Sequence, residues 1–297
     1  MDAGGHHGPV QSGIFPSIAM ASPTPGFVHL ANANLRDLTT DVLYHIGFTC
    51  SREDKQPILD LFGDVKFFVT GGSVGRMTEF AQRVADELQV KTPFGYALTP
   101  IGTTARYTLF KVGPVLIANH GMGIPSVLIL LHEVTKLLEY AEAHDVVYIR
   151  MGTMAVLGKR VLRRAVCTPE VADEMAKAAE QVNVPVVIGK TLTCDDFYEA
   201  QGRLDGAICE FSLDDKMQFL ESCAAAGVKN IEMEARGFAA FCHHLRIPVA
   251  VACVTLLNRL YGDQVLSTHA QLHSFEDRPG IVILQYIKTK LEAKKRD

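Results

Sequence analysis

No apolar run in this 297-residue chain approaches the roughly eighteen residues that a helix needs to cross a bilayer, and no basic, apolar and small-residue series opens it. The chain is therefore expected to be cytoplasmic, with no membrane association. Cys-x-x-Cys is also missing. Seven cysteines stand singly between Cys50 and Cys253, an odd number that fits reduced thiols better than a disulfide framework or a zinc site. His243 and His244 are adjacent and point in different directions on a helix, so no metal pair is expected there. With 29 Lys and Arg against 33 Asp and Glu, the net charge of −4 leaves no basic footprint, and nucleic acid is not an expected partner. Neither a P-loop nor a dinucleotide fingerprint occurs, and no internal repeat or dividing linker is visible. What is present, 48% hydrophobic and 21% charged residues, is the composition of a globular protein able to bury a substantial core.

Residues 1–26 are rich in Gly, Pro, Ser and Ala without a sustained period, which predicts a flexible arm ahead of a single domain over 27–297. Leu35, Leu38, Val42, Leu43 and Ile46 predict a short amphipathic helix over 34–48, with His45 on its other side or at its end. Strands are then expected at 65–69, 146–149, 184–187 and 247–257, the last reading as the most buried. A hairpin is expected across Gly113-Pro114. Helices are expected after Gly71-Gly72, from Pro125 to about 143, from Pro169 behind a Thr168 cap, over 215–225, before Leu245 and over 281–294. This alternation predicts α/β layers around a mixed sheet.

Several stretches carry chemistry. Val146-Val147-Tyr148-Ile149 is a buried strand that ends in Arg150, and a buried guanidinium must meet an anion, either a ligand oxyanion or a structural carboxylate. Gly152 and Thr153 follow it, a glycine that admits close approach and a residue with a hydroxyl and a backbone N–H. Gly71-Gly72 and the helix behind it form either an ordinary tight turn or an anion cradle, with Arg76 in the first helical turn, where a cation opposes the macrodipole unless it serves a ligand. Arg106 is a further cation at an uncharged strand start. In the loop over 192–205, Gln201 and Arg203 share a face of an extended segment. Glu232 and Glu234 sit where a helix N-terminus favours carboxylates.

Taken together, Gly71-Gly72-Ser73-Val74-Gly75-Arg76, His120-Gly121-Met122-Gly123-Ile124-Pro125-Ser126, Ile149-Arg150-Met151-Gly152-Thr153, the run from Asp196 to Arg203 and Asn230-Ile231-Glu232-Met233-Glu234 resemble the motifs of the uridine phosphorylases. These are the pyrimidine branch of the nucleoside phosphorylases, three-layer α/β/α proteins with a mixed central sheet. The resemblance runs from about Asp41 to the C-terminus with one gap, and Gln201-Gly202-Arg203 separates it from the purine branch. It implies reversible phosphorolysis of uridine to uracil and ribose 1-phosphate in pyrimidine salvage, with phosphate as co-substrate and neither metal nor organic cofactor. It implies that phosphate is held by Gly72, Arg76, Arg150 and Thr153, with Arg106 supplied by the partner of a homodimer. Glu234, Met233 and Glu232 would take the ribose, with His45 from the partner at its 5′-hydroxyl. Phe197 would stack on uracil, while Gln201 and Arg203 read its edge and Arg203 stabilises the leaving base; Arg203, Gln201 and Arg150 form the implied catalytic set.

One departure stands out. Met154-Ala155-Val156 join Thr153 almost directly to Leu157-Gly158-Lys159-Arg160, a connection roughly 25 to 30 residues shorter than the resemblance predicts, enough to remove one strand and expose its ladder partners. The central sheet is thus expected to lack a strand. The alternative reading is a catalytically impaired or silent shortened isoform that binds nucleoside or associates with full-length subunits.

Overall fold

A computed structural model of the chain describes residues 28, 30, 32–35, 38–90, 98–102, 104, 106–154 and 165–294. The expected arm over 1–26 and the shortened connection over 155–164 lie outside them. In chain order the elements are β1 Thr40–Leu43, β2 Phe48–Ser51, α1 Gln56–Phe62, β3 Phe67–Gly71, α2 Val74–Glu87, β4 Leu109–Val112, β5 Val115–Asn119, α3 Ile124–Tyr140, β6 Val147–Met154, α4 Pro169–Gln181, β7 Lys190–Thr193, α5 Leu213–Ala225, β8 Val228–Glu232, α6 Ala235–His244, β9 Val249–Thr255 and α7 His269–Ala293. Among the described residues no helix is long and apolar enough to span a membrane.

The central sheet has five strands in the order β4-β5-β3-β6-β9. It is mixed, because β4 and β5 form the antiparallel hairpin across Gly113-Pro114 while β3, β5, β6 and β9 run parallel. Alternation along the strands divides the core into two layers. Phe68 and Tyr148 face α1, α3 and α6, whereas Phe67, Val69, Ile149 and Met151 face α2, α4 and α7. Helices thus cover both faces in the expected three-layer α/β/α arrangement. β7 and β8 form a separate parallel pair, and β1 and β2 an antiparallel one.

The sheet order decides where a ligand can go. The chain leaves β3 through α2 to β5 on one side, then crosses through α3 to β6 on the other, so β5 and β6 flank β3. Crevices at such a switch lie beyond the carboxyl ends of the strands. Two of the expected stretches follow those ends, Gly72 to Arg76 after β3 and His120 to Ser126 after β5, whereas Arg150 to Thr153 lie within the C-terminal half of β6, which runs on to Met154 rather than ending at Ile149.

Four expectations are corrected. The helix over 34–48 is instead a short 3-10 turn at Ala33–Leu35 and the β1-β2 hairpin. Its apolar residues fit both periods; Gly47 at φ 76° closes a turn after Leu43, whose pairing with Phe48 settles the matter in favour of strands. Residues 184–187 form no strand, and pairing with β8 begins at Lys190. β9 is buried only at Val249 and Ala250, being the edge strand of its sheet. α7 starts at His269, twelve residues before the expected 281, and continues through Pro279. Its start is a capping box: Thr268 Oγ1 accepts from the Gln271 N–H at 3.4 Å, and Gln271 Oε1 accepts from the Thr268 N–H at 2.9 Å. Pro279-Gly280 reads as a helix break in sequence, yet Gly280 lets the helix close on Phe80.

Thr268→Ala removes the reciprocal cap and should cost about 1 kcal/mol, lowering the melting temperature by roughly 2 °C. Thermal denaturation followed by circular dichroism checks this.

Candidate active site

Gly72 stands just beyond β3, where a Cβ would lie 2.9 Å from the Gly121 carbonyl oxygen. Any larger residue would push the β3 and β5 loops apart. Ser73 caps α2, its Oγ accepting from the Arg76 N–H at 3.5 Å. Arg76 occupies the first turn, half-buried, and its guanidinium has no hydrogen bond or ion pair among the described residues. A cation at a helix N-terminus without a carboxylate is unfavourable on its own. It suits an anion that would meet the same backbone N–H groups.

Arg150 is 3% exposed and is surrounded by acceptors. Its Nη2 donates to Glu234 Oε2, its Nη1 lies 3.2 Å from Glu232 Oε2, and the same Nη1 donates to Cys253 Sγ at 3.4 Å. Gly152 makes this possible, since a Cβ there would lie 2.7 Å from Arg150 Nη1. Its absent side chain thus admits the guanidinium of its own strand. The carboxylates are fixed in turn. Glu232 Oε2 accepts from the N–H groups of Glu234 and Ala235, each at 2.7 Å, at the start of α6, and Glu232 Oε1 accepts from Thr193 Oγ1 at 2.5 Å. Glu234 Oε1 accepts from the Gly123 N–H at 2.6 Å. Burial works against charge on Arg150, but Cys253, Glu232 and Glu234 outweigh it and hold its pKa above the ordinary value. Burial pushes the Cys253 thiol up to about 12. Thr153 lies at the open end of β6, half-buried, paired with Val254. Met233 is half-buried between the two glutamates.

The loop after β7 joins this cluster through short links. Thr193 bonds Glu232 as above, and Cys194 Sγ donates to the Ala200 carbonyl at 3.1 Å. Gln201 closes a 3-10 turn, Glu199–Gln201, and is 2% exposed; Gly202 follows at φ 62°. Arg203 grips Asp205 through Nε at 2.8 Å and Nη2 at 2.5 Å, and its guanidinium carbon lies 4.6 Å from the Phe197 ring centre. Phe197 is half-exposed on the outer side of that stack.

His45 lies elsewhere, on the turn of the β1-β2 hairpin. Its N–H donates to Glu133 Oε2 at 2.9 Å and its Nδ1 is 2.7 Å from Glu133 Oε1. Arg106 donates to Ser126 Oγ at 3.0 Å. Among the described residues neither forms a hydrogen bond or ion pair with Arg150, Glu232 or Glu234. The fold therefore brings Gly72, Arg76, Arg150, Thr153, Glu232, Met233 and Glu234 to one end of the sheet and ties the Gln201 loop to them, while His45 bonds Glu133 of α3 and Arg106 bonds Ser126, whose Oγ donates to the His120 carbonyl.

Several residues of the site have no signal in the sequence. Arg259, 1% exposed, donates through Nη2 to the carbonyls of Gln201 at 3.0 Å and Gly202 at 3.2 Å. Asp263 collects Arg259 Nε at 2.9 Å, Lys216 Nζ at 2.7 Å and the Leu204 N–H at 3.0 Å. Arg259 and Asp263 are four positions apart, but the groups they hold, Gln201, Gly202, Leu204 and Lys216, lie 47 to 59 positions away, beyond the reach of any local pattern. His120 is wholly buried, and burial first, then Arg150 and Arg76, hold its pKa well below the usual histidine value.

Comparison with known proteins accounts for the pattern. The family profile of the Phosphorylase superfamily matches residues 157–288. Uridine phosphorylase 1 of Mus musculus is 39% identical over 293 residues, covering 89% of this chain and 93% of the mouse protein. A structure of a uridine phosphorylase from the oomycete Phytophthora capsici superposes with a TM-score of 0.83 at 57% identity, covering 91% of this chain and all of that one. The uracil complex of the Schistosoma mansoni enzyme superposes with a TM-score of 0.80 at 36% identity, over 88% of this chain and 99% of that one. In the mouse alignment 293 positions take in only 89% of these 297 residues, so about 29 positions have no counterpart here. That difference matches in size the shortening expected after Thr153.

His120 has a consequence for acid stability. Its neutral form is favoured in the fold, so an unfolded imidazole takes its proton first as pH falls below about 6.5. Stability from this source is whole above that pH and declines below it, by up to about 1.4 kcal/mol per pH unit. His120→Asn should lack this component, giving a shallower fall in urea midpoint between pH 7 and pH 5 than the parent shows.

Proposed function

This chain belongs to the uridine phosphorylase family, and we propose that it carries out the reversible phosphorolysis of uridine to uracil and ribose 1-phosphate through the cluster centred on Arg150. The observation that carries the reading is the joining of three expected subsites by direct bonds. Arg150, of the phosphate set, contacts Glu232 and Glu234, of the ribose set. Glu232 then connects through Thr193 and Cys194 to the loop bearing Gln201 and Arg203.

In the proposed reaction phosphate is the nucleophile. Gly72 and the start of α2 offer backbone N–H groups, Arg76 and Arg150 offer guanidiniums, and Thr153 offers a hydroxyl. The Nε of Arg150 is buried without a partner among the described residues, leaving a donor beyond those held by the glutamates. Phosphate attacks C1′ as the bond to uracil lengthens, and positive charge grows on the ribose. Glu234 accepts from the ribose hydroxyls close to that charge, with Met233 against the sugar and Glu232 beside them. Gln201 pairs with the amide edge of uracil. Arg203 commits Nε–H and one Nη2 N–H to Asp205, so its Nη1 and second Nη2 N–H groups remain as donors for a uracil carbonyl, where negative charge develops as the base departs. Phe197 carries the other face of that guanidinium and stacks on the base.

His45 is held by Glu133 and Arg106 by Ser126, neither bonding Arg150, Glu232 or Glu234, and under this proposal both serve the partner's site in a homodimer. Since phosphate itself attacks, the reaction as proposed calls for no metal or organic cofactor. A cytoplasmic setting, where free phosphate and nucleosides meet, suits it.

Uracil release from uridine by the purified full chain, with and without inorganic phosphate, tests the proposal. Phosphate-dependent release is expected; its absence from a folded chain would indicate a silent member of the family. Arg203→Ala should lower kcat by about 10²- to 10³-fold, since it removes a donor aimed at developing charge, while the KM for phosphate changes little.

A further inference from the structure

His120 takes no part in the contacts assigned above. It follows β5 directly, its N–H donating to the Gly71 carbonyl at 2.7 Å and its carbonyl accepting from Ser126 Oγ at 2.5 Å. Its backbone is therefore anchored on both sides. The ring is 0% exposed, and neither Nδ1 nor Nε2 makes a well-formed hydrogen bond among the described residues, the nearby backbone of Gly121 and of His120 itself acting on the ring without satisfying it. Two unpartnered nitrogens in one buried ring are a standing cost that an apolar side chain of similar size would avoid. Such a cost is kept where the groups have another use.

The surroundings identify that use. His120 Cε1, the carbon between the two nitrogens, lies 3.8 Å from where a Cβ of Gly72 would stand, so the polar edge of the ring faces the turn after β3. Arg150 from β6 and Arg76 from α2 are the charged groups that act on it, and both oppose its protonation. Thr70, which pairs with Arg150 in strand register, also has a buried Oγ1 without a partner among the described residues. Unmatched polar atoms thus gather behind the two arginines and the turn glycine.

We infer that His120 is a further phosphate-contacting residue of this site, its uncharged imidazole bonding the anion from the β5 side while Arg76 and Arg150 supply the charge. The inference rests on the phosphorolysis reading and adds a residue to it. The chemistry is suited to the role. A hydrogenphosphate dianion carries oxyanions and one P–OH, and guanidiniums and backbone N–H groups can only donate. A neutral imidazole can donate to an oxyanion or accept from the P–OH, adding a directional bond without a further positive charge.

The test compares the full-length chain with His120→Leu and His120→Asn, using inorganic phosphate as the probe. Thermal stabilisation by phosphate is measured without nucleoside, and the KM values for phosphate and uridine are measured separately. His120→Leu should melt at or above the parent's temperature without phosphate. It should need roughly tenfold more phosphate for the same stabilisation, with a comparable rise in phosphate KM and little change in uridine KM. His120→Asn, which keeps a donor and an acceptor, should recover part of the loss. A phosphate response equal to the parent's in His120→Leu overturns the role of His120 and leaves the phosphorolysis reading standing. Failure of His120→Leu to fold also overturns it, by showing that the ring is kept for the fold. No response to phosphate in the parent overturns both.

Discussion

A buried guanidinium tolerates very few surroundings, and that of Arg150 is the constraint on which this site depends. At 3% exposure it has given up water and must recover the loss from groups held in place. Glu232 and Glu234 provide them, and each is itself bound by the start of α6, Thr193 or the loop before α3. One ion cluster therefore fastens β6 to the β8-α6 junction, to β7 and to the Gly121 to Gly123 loop. Gly152 and Cys253 complete the seat, the first by having no side chain and the second by accepting from Nη1.

The same principle acts in the loop that Thr193 and Cys194 tie to this cluster. The loop from Phe197 to Asp205 has little regular structure, and its polar backbone needs partners. Arg259 and Lys216, both almost wholly buried, converge on Asp263, and Arg259 also holds the carbonyls of Gln201 and Gly202. A loop expected to read a small planar base is thus held as firmly as a strand. Both ends use arginine, whose planar fork reaches several acceptors at once without losing its charge.

Much of the layered fold was legible because its signals are local. The apolar run Phe67-Phe68-Val69, the glycine turns and proline-led starts at Pro125 and Pro169 depend on neighbours a few positions apart. The errors fell where two local readings compete. Leu35 to Ile46 fits a helical stripe as well as a hairpin, and only pairing with residues 48–51 separates them. Pro279-Gly280 signals a break that packing against Phe80 overrides.

The sequence by itself determined the α/β class, the family motifs and which residue types stand ready for an anion, a sugar and a base, because these follow from short spacings and side-chain chemistry. It also showed that the stretch after Thr153 is short. Only the tertiary structure decided what each group touches. Arg150 lies 82 and 84 positions from its glutamates, and Arg259 lies 58 from Gln201, so sheet order and loop packing, rather than any pattern along the chain, bring them within bonding distance. Burial made the choice physical: a surface arginine could have paired with many carboxylates or none, whereas one sealed within β6 had to find the acceptors that the fold delivered.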